Sequence, residues 1–237
     1  MKKAILFDLD NTLYPYLPSH ETGLKASAAF AASTLHLSAE AFHRLYEESR
    51  REIHQSLKGT ASSHNRILYF QRIYETCTKK AESANILRCH QIYWKAYFSK
   101  MTLFQGVLEL FDFLKKRHRP IAIVTDMTTQ LQLEKLKVLK LAPYVQALVT
   151  SEEAGVEKPH PRIFQLALKK LGILPGEACL VGDDPVADVE GANRVGIETI
   201  QWVPNGRAAV PQKEIRKPHH QVSTYHQLKQ FLNDSLT

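Results

Sequence analysis

Short apolar runs that end at polar residues constrain the fold of this 237-residue chain more than any other feature of its sequence. The first run, Ala4–Phe7, is followed at once by Asp8. Comparable runs occupy residues 121–124, 147–149, 178–181 and 197–203. Continuous apolar runs of this length are typical of strands that are buried on both faces of a parallel sheet. The sequence therefore predicts a parallel sheet built from these segments.

Helical patterns alternate with these runs in the second half of the chain. The stretches with apolar side chains at helical spacing are Val107–Lys116, residues 130–139 and Pro161–Leu171. Gly172 predicts the C-terminal cap of the last of these helices. Residues 204–220 are polar and contain three prolines, which predicts an irregular loop before a last helix at residues 225–233. Such alternation is typical of an α/β fold with a doubly wound parallel sheet and helices on both faces.

The segment from residue 15 to residue 103 differs, because it holds almost no strand-like run and is rich in helix-forming residues. Its four amphipathic stretches are residues 20–34, 39–55, 65–79 and 82–98. Phe7 and Ile121 are more than a hundred residues apart, far beyond the ~10–15 residues of a simple crossover helix. We therefore predict two domains: an α/β core formed by residues 1–14 and 104–237, and an inserted helical bundle at residues 15–103.

Composition and charge narrow the class of protein and its partners. The net charge of +7 suits nucleic acid or an anionic small substrate, but the basic residues are spread along the chain and form no dense block. We therefore expect no nucleic-acid partner. Three cysteines are too few for a disulfide framework and favour the reducing cytoplasm. No stretch approaches the ~20 apolar residues that span a bilayer, and no signal-peptide pattern is present, so we expect no membrane partner.

Two carboxylates, Asp8 and Asp10, follow directly on the first predicted strand. In an open α/β sheet the ligand site lies outside the carboxyl ends of the strands. Side chains two residues apart on an extended segment face the same side. Such a pair can share a cation, or divide the roles of nucleophile and acid–base catalyst. The alternative is a pair of turn acids that caps a helix.

Three further groups of polar residues lie in matching places. Thr125 and Asp126 follow one predicted strand, and Lys158 precedes a predicted helix. Asp183 follows another predicted strand, with Asp188 a few residues later. Each group has a structural alternative: a helix cap, a surface charge or a turn residue. Four such groups in this order predict a functional site at the carboxyl edge of the sheet.

These motifs, carried by residues 8–14, 124–126, 157–161 and 181–188, resemble those of the haloacid dehalogenase superfamily, and specifically its phosphatases with a helical cap of the C1 type. The resemblance implies a Rossmann-like core with the helical bundle as its cap. It also implies a Mg²⁺-dependent hydrolase of phosphate monoesters that forms an aspartyl-phosphate intermediate. The alternatives are a phosphomutase, which would pass the phosphoryl group on, and a catalytically silent binding protein of the same fold.

The resemblance implies that Asp8 is the nucleophile and that Asp10 protonates the leaving group and later activates water. Thr125, the backbone amide of Asp126 and the ammonium of Lys158 would bind the phosphoryl oxygens. A phosphate monoester dianion repels a carboxylate nucleophile, and the charge of Lys158 offsets this repulsion. Asp10 has to hold a proton near neutral pH, which burial or a nearby charge can arrange.

The cofactor implied by the resemblance is Mg²⁺. Its ligands would be Asp8, the backbone carbonyl of Asp10, and Asp183, while Asp188 would support the metal directly or through water. Mg²⁺ prefers oxygen ligands and keeps several waters, so few carboxylates suffice.

Two acids depart from the family pattern or extend it. The family more often has Asn at the position of Asp126, and Asp184 adds a third acid beside Asp183 to which we assign no role. Asp10 favours phosphoryl transfer over carbon–halogen cleavage, because the dehalogenases of the family usually lack this second carboxylate. The complete set of Asp8, Asp10, Lys158 and Asp183 also argues against a silent binding protein.

The expected substrate is a small phosphorylated metabolite. Residues 10–15 are similar to those of nucleotidases and sugar-phosphate phosphatases of this group, so a nucleotide or a sugar phosphate is possible. The polar candidates for substrate recognition in the cap are Ser63, His64, Asn65 and Arg66. The alternative is that they only start a helix, with Ser63 as its N-cap.

Overall fold

The structure is a computed structural model that describes residues 2–204, 206 and 213–236, with side chains described as far as residue 234. The chain divides into two compact units. Met1–Pro15 together with Thr102–Thr237 make up the first, which we call the α/β unit. Tyr16–Met101 make up the second, which we call the helical unit.

The α/β unit contains a parallel sheet with the strand order β3-β2-β1-β4-β5-β6 among the described residues. The strands are β1 Ala4–Phe7, β2 Ile121–Thr125, β3 Val145–Thr150, β4 Ala178–Gly182, β5 Glu198–Trp202 and β6 His220–Val222. The first five confirm the predicted strands, and the doubly wound fold is as predicted. Strand β6 begins inside the predicted loop at residues 204–220 and was not predicted. Residues 205 and 207–212 of that loop lie outside the described residues.

The helices alternate with the strands in the α/β unit and make up most of the helical unit. They are α1 Tyr16–Leu35, α2 Ala39–Ser56, α3 Arg66–Thr78, α4 Ser83–Lys100, α5 Val107–Lys116, α6 Thr129–Val138, α7 Ser151–Ala154, α8 Pro161–Leu171, α9 Gly191–Val195 and α10 Tyr225–Leu236. Helices α5 and α8 have the predicted limits, and Gly172 closes α8 with its backbone in the left-handed region at φ 65°. Glycine adopts that conformation at little cost because it has no Cβ.

One face of the sheet is covered by α8. Its apolar stripe, which includes Ile163, Phe164 and Ala167, packs against side chains from the central strands such as Leu6 and Val124. All five residues are fully buried. Burial of apolar surface stabilises a fold by about 25 cal/mol per Å², so this stripe fixes α8 and the segment before it against the sheet.

The helical unit has an aromatic core formed by side chains from several helices. Its fully buried rings are those of Phe42, Tyr46, Tyr69, Phe70, Tyr74, Tyr93 and Tyr97. Helix α3 corrects one expectation: its N-cap is Asn65, whose side chain accepts from the amide of Ile67, and not Ser63. Ser63 is buried in a short 3-10 turn, Ala61–His64, which ends before the helix begins.

Within residues 2–204, 206 and 213–236, the helices are either too short or too polar for one of them to cross a lipid bilayer.

Candidate active site

The carboxyl ends of β1 and β4 form the centre of the candidate site. Asp8 is the first residue after β1, and its backbone N–H donates to the carbonyl of Val181 in β4 at 2.9 Å. Asp183 is the first residue after β4. The sheet grows from β1 toward β2 on one side and from β4 toward β5 on the other. Ligands of open α/β sheets bind at this crevice, where the strand order reverses.

Lys158 connects two of the predicted acids. Its Nζ lies 2.6 Å from Oδ1 of Asp8 and 2.7 Å from Oδ1 of Asp188. All three side chains are buried, with at most 7% of each exposed. Burial alone would lower the pKa of Lys158, but the charges of Asp188 and Asp8 raise it well above its ordinary value. The side chain therefore stays an ammonium and can offset the negative charge of a phosphoryl group.

The side chain of Asp126 has a role in positioning Lys158. Its Oδ1 accepts from the backbone N–H of Lys158 at 3.0 Å. The departure from Asn at this position is therefore compatible with the site, because the acceptor is an oxygen in either residue. Thr125 ends β2 beside Asp126 and is buried, and its hydroxyl accepts from Nε2 of Gln132 at 2.8 Å.

Three predicted acids come together in one cluster. Carboxylate oxygens of Asp8, Asp183 and Asp188 all lie within 4.8 Å of one another. Burial raises the pKa of Asp8 to about 7, with Lys158 opposing that rise. Burial also raises the pKa of Asp183 to about 8, helped by the charges of Asp8 and Asp188. Burial and the repulsion between the carboxylates thus disfavour the ionised acids, and the charge of Lys158 offsets this only in part.

The donor atoms and the charge of this cluster suit a divalent cation. The donor set consists of carboxylate oxygens, which are the ligands that Mg²⁺ prefers. A bound cation would also relieve the repulsion that raises the pKa of Asp183. The arrangement of Asp8, Asp183 and Asp188 thus fits a magnesium ion on the chemistry of its oxygens and on its charge.

Gly182, the last residue of β4, lets Asp188 approach the cluster. A Cβ at Gly182 would lie 2.4 Å from Oδ2 of Asp188, closer than any real contact. The same Oδ2 accepts from the backbone N–H of Asp184 at 3.1 Å. The Asp184 side chain binds the backbone just after it, where its Oδ1 accepts from the amides of Val186 and Ala187 at 2.7 and 2.8 Å. Asp184 is therefore the N-cap of the π-helical turn Pro185–Glu190.

The sequence did not single out Thr12, which contacts two of the acids. Its hydroxyl donates to Oδ2 of Asp8 at 2.9 Å and lies 3.2 Å from Oδ1 of Asp183. Its carbonyl accepts from the phenol of Tyr225, at the start of α10. Burial and the charges of Asp8 and Asp183 raise the pKa of Tyr225 well above its ordinary value, so that this phenol remains a donor.

Asp10 contacts two side chains outside the acid cluster. Both of its carboxylate oxygens are 2.7 Å from Nζ of Lys135 in α6, and its Oδ1 also accepts from the hydroxyl of Tyr14. Neither Lys135 nor Tyr14 was predicted as part of the site. The available signal was weak: Lys135 lies four residues after Leu131 on the buried stripe of α6, where an apolar residue is expected.

Comparisons with known proteins identify the family of the chain. Residues 2–196 match the family described as haloacid dehalogenase-like hydrolase. The chain is 43% identical over 207 residues to the ribulose-1,5-bisphosphate 5-phosphatase of Halopiger xanaduensis, and this alignment covers 86% of each protein. It is 31% identical over 239 residues to the glyceraldehyde 3-phosphate phosphatase of Methanopyrus kandleri, which covers 96% of this chain and 99% of the relative.

A solved structure has a similar fold. The HAD phosphatase from Thermococcus onnurineus superimposes with a TM-score of 0.76 and 25% identity, covering 98% of both chains. The family match spans most of the chain. The two relatives are named as phosphatases, and the alignments cover most of their length. The chain therefore belongs to the haloacid dehalogenase-like hydrolases and is a phosphatase of that family.

Proposed function

We propose that this phosphatase is a Mg²⁺-dependent hydrolase of small sugar phosphates and that it works through an aspartyl-phosphate on Asp8. The observation that carries the proposal is the position of the Asp8 carboxylate. It lies at the end of β1, 2.6 Å from the Lys158 ammonium and within the three-acid cluster. A carboxylate nucleophile needs this combination of nearby positive charge and fixed orientation to attack a phosphate dianion.

In the first step, an oxygen of Asp8 bonds to phosphorus while the bond from phosphorus to the leaving oxygen breaks. Asp10 gives its proton to that oxygen, so the product leaves as an alcohol. The negative charge of a bound phosphate dianion favours the protonated form of Asp10 for this step, against the Lys135 ammonium, which favours the ionised form. Thr12 donates to Oδ2 of Asp8 and Lys158 donates to Oδ1, so the carboxylate is oriented before the attack.

In the second step, water attacks the phosphorus of the aspartyl-phosphate. Asp10 takes a proton from the water, the bond between phosphorus and Asp8 breaks, and inorganic phosphate is released. Thr125, the backbone amide of Asp126 and the ammonium of Lys158 are the proposed donors to the phosphoryl oxygens. All three lie at the carboxyl edge of the sheet or at the segment before α8.

The proposed magnesium ligands are the carboxylates of Asp8 and Asp183 with the backbone carbonyl of Asp10, supported by Asp188. When bound there, Mg²⁺ supplies positive charge that stabilises the phosphoryl oxygens during transfer. Lys158 already neutralises part of the charge of Asp8 and Asp188. Its ammonium is therefore shared between the acids and the phosphoryl group.

The substrate class rests on the relatives. The two relatives described above act on ribulose-1,5-bisphosphate and on glyceraldehyde 3-phosphate, as their names state. Both are small phosphorylated sugars with an alkyl leaving oxygen, which is the kind of leaving group that needs a proton from Asp10. We propose that the helical unit, Tyr16–Met101, is the cap that selects among such substrates. The three free thiols further favour a reducing compartment and so the cytoplasm.

Rapid quenching tests the covalent step. The enzyme with Mg²⁺ and substrate is stopped in acid, digested and analysed by mass spectrometry for a phosphoryl group on the peptide that carries Asp8. We expect the modified peptide in the parent enzyme and not in Asp8→Asn. Phosphoryl groups that reappear on another position of the sugar, instead of as inorganic phosphate, would support the phosphomutase. Turnover without any modified peptide would exclude the covalent route.

A panel of substrates tests the proposed class. It contains ribulose-1,5-bisphosphate, glyceraldehyde 3-phosphate, phosphoserine, an N-acylneuraminate 9-phosphate and a nucleoside monophosphate. We expect one of the first two to have the highest kcat/KM. A preference for the nucleotide would leave the phosphatase chemistry intact but overturn the sugar-phosphate proposal.

A further inference from the structure

A buried lysine in α6 stands out, because it is paired with the proposed acid–base residue. Lys135 is fully buried, and its Nζ lies 2.7 Å from each carboxylate oxygen of Asp10. The two residues are 125 positions apart in the chain. Lysines are rarely fully buried, and the desolvation of their charge is costly. Fold stability alone therefore gives little reason for a lysine at this position, where an apolar side chain could pack.

Tyr14, four residues after Asp10, contacts the same carboxylate. Its hydroxyl donates to Oδ1 of Asp10, and its ring is fully buried. Nζ of Lys135 also lies over the Tyr14 ring, 5.9 Å from its centroid. The backbones of Asp10 and Tyr14 form a bridge across a tight loop in which Asn11 has a left-handed φ of 63°. Asp10 is thus held by its backbone and by two side chains.

The Asp10 side chain nevertheless keeps an open side. A quarter of its side-chain surface is exposed, whereas Lys135 is not exposed at all. The carboxylate therefore combines buried partners with some exposed surface that a ligand can contact. A general acid has to reach its target oxygen within hydrogen-bond distance, and a misplacement of about 1 Å can cost about a hundredfold in rate.

We propose that Lys135 and Tyr14 form a clamp that positions the carboxylate of Asp10 for proton transfer to and from the leaving oxygen. This inference rests on the proposed function of Asp10. Lys135 and Tyr14 are positioning residues, since they act through Asp10 and need no contact with the substrate. Lys135 Nζ also lies 3.7 Å from the uncharged sulfur of Met127.

If the clamp positions Asp10, replacing its residues should lower kcat by a factor that depends on the leaving group of the substrate. An alkyl phosphate needs its leaving oxygen protonated, whereas the nitrophenolate of an aryl phosphate departs with little help. We expect Lys135→Met to lower kcat for an alkyl phosphate such as glyceraldehyde 3-phosphate about a hundredfold, and kcat for p-nitrophenyl phosphate about threefold or less. Tyr14→Phe, which removes only the hydroxyl, should shift the ratio of the two kcat values in the same direction by about tenfold.

Matched variants separate this role from a structural one. Lys137→Met removes an exposed ammonium from the same helix and should leave the ratio unchanged. If Lys135 and Tyr14 only stabilise the fold, their variants lower the melting temperature and lower both kcat values by the same factor. That equal loss would overturn the clamp. If Lys135→Met proves insoluble, Tyr14→Phe decides the question alone, because an unchanged ratio in that variant contradicts the proposal.

Asp10→Asn makes the failure of the clamp distinguishable from the failure of the proposed function. If Asp10→Asn shows the strong dependence on leaving group and the clamp variants do not, the acid–base role stands and the clamp is wrong. If Asp10→Asn itself affects alkyl and aryl phosphates equally, the acid–base role of Asp10 is wrong, and the clamp falls with it.

Discussion

Lys158 and Asp8 are 150 residues apart in the chain, yet their side chains meet at 2.6 Å. Asp8 is placed by its position at the end of β1, and Lys158 by the start of α8, whose apolar stripe packs on the sheet. The amide of Lys158 is held in addition by Asp126, at the end of β2. The pair therefore depends on the sheet as a whole, and its geometry is fixed before any substrate binds.

Replacing the nucleophile should abolish turnover without unfolding the protein. Asp8→Asn keeps the size and shape of the side chain but removes the charged oxygen that attacks phosphorus. We expect kcat to fall by more than about a thousandfold, while circular dichroism and the melting temperature show a folded protein. Asp112→Asn, at an exposed position on α5, serves as the control and should keep the parent activity. Comparable turnover by Asp8→Asn would refute the covalent mechanism.

Replacing Asp183 should change the Mg²⁺ dependence of the activity much more than replacing Asp184. Asp183→Ala removes a carboxylate from the three-acid cluster, and we expect the Mg²⁺ concentration for half-maximal activity to rise at least tenfold. Mg²⁺ should also raise the melting temperature of the parent but not of this variant, since a ligand of the folded state stabilises it. Chelation should remove the activity of the parent, and added Mg²⁺ should restore it.

Asp184→Ala instead removes an N-cap that accepts from two backbone amides. We expect a loss of about 1 kcal/mol in the free energy of unfolding and a nearly unchanged dependence on Mg²⁺. Urea unfolding and a magnesium titration of both variants measure the two effects. The reverse order, with Asp184→Ala the more magnesium-dependent variant, would show that the metal ligand was assigned to the wrong acid.

The placement of the main site residues could be predicted because parallel strands bring their carboxyl ends to one edge. Asp8, Thr125 and Asp183 each end or follow a buried apolar run, so local sequence and sheet topology together fix their neighbourhood. Strand β6 was not predicted because it has only three residues, of which two are polar. It is stabilised by hydrogen bonds to β5, which its own sequence does not reveal.

The contacts of Lys135 could not be assigned from the sequence, for a different reason. Lys135 has Lys137 two positions away, and a helix with several lysines is normally solvated along them. Its burial depends on a tertiary contact with a loop more than a hundred residues earlier. For Asp184 a local signal did exist, since Pro185 follows it and proline favours the first position of a helix after an N-cap.

His20 should make the stability of the protein depend on pH. It lies in the helical unit, where its Nδ1 is 2.7 Å from the phenol oxygen of Tyr93. Burial, with a smaller effect of the Arg66 charge, lowers the pKa of His20 from 6.5 to about 3. Because the unfolded chain binds a proton below pH 6.5 and the folded chain does not until about pH 3, the folded state loses stability as the pH falls through this window.

The slope contributed by His20 is at most about 1.4 kcal/mol per pH unit. Urea unfolding at pH 7 and pH 5 measures it, and His20→Gln should have a shallower pH dependence than the parent. The exposed His43, on α2, provides the control, since His43→Gln should keep the slope of the parent. Parallel slopes for the parent and His20→Gln would mean that His20 does not carry this dependence.

Arg66 should influence which substrate is preferred more than how fast phosphate is transferred. It is 6% exposed, and its guanidinium donates to the hydroxyl of Tyr16 and to the carbonyl of His64, each at 2.6 Å. Its carbon Cζ lies 5.8 Å from the ring centroid of Trp94. A substrate anion that reached this guanidinium would accept charge-assisted hydrogen bonds, which are about twice as strong as bonds between neutral groups.

Arg66→Met keeps most of the volume and removes the charge, whereas Arg66→Lys keeps the charge and loses the planar donor geometry. If the helical unit selects the substrate through Arg66, Arg66→Met should change the ratio of kcat/KM between the best and the second substrate of the panel at least about tenfold. The same variant should change kcat for p-nitrophenyl phosphate by about threefold or less, because the core acids set that rate. Arg50→Met removes an exposed guanidinium from α2 and should keep the ranking. A lower melting temperature with an unchanged ranking would show that Arg66 only stabilises the helical unit and that the substrate is selected by other residues.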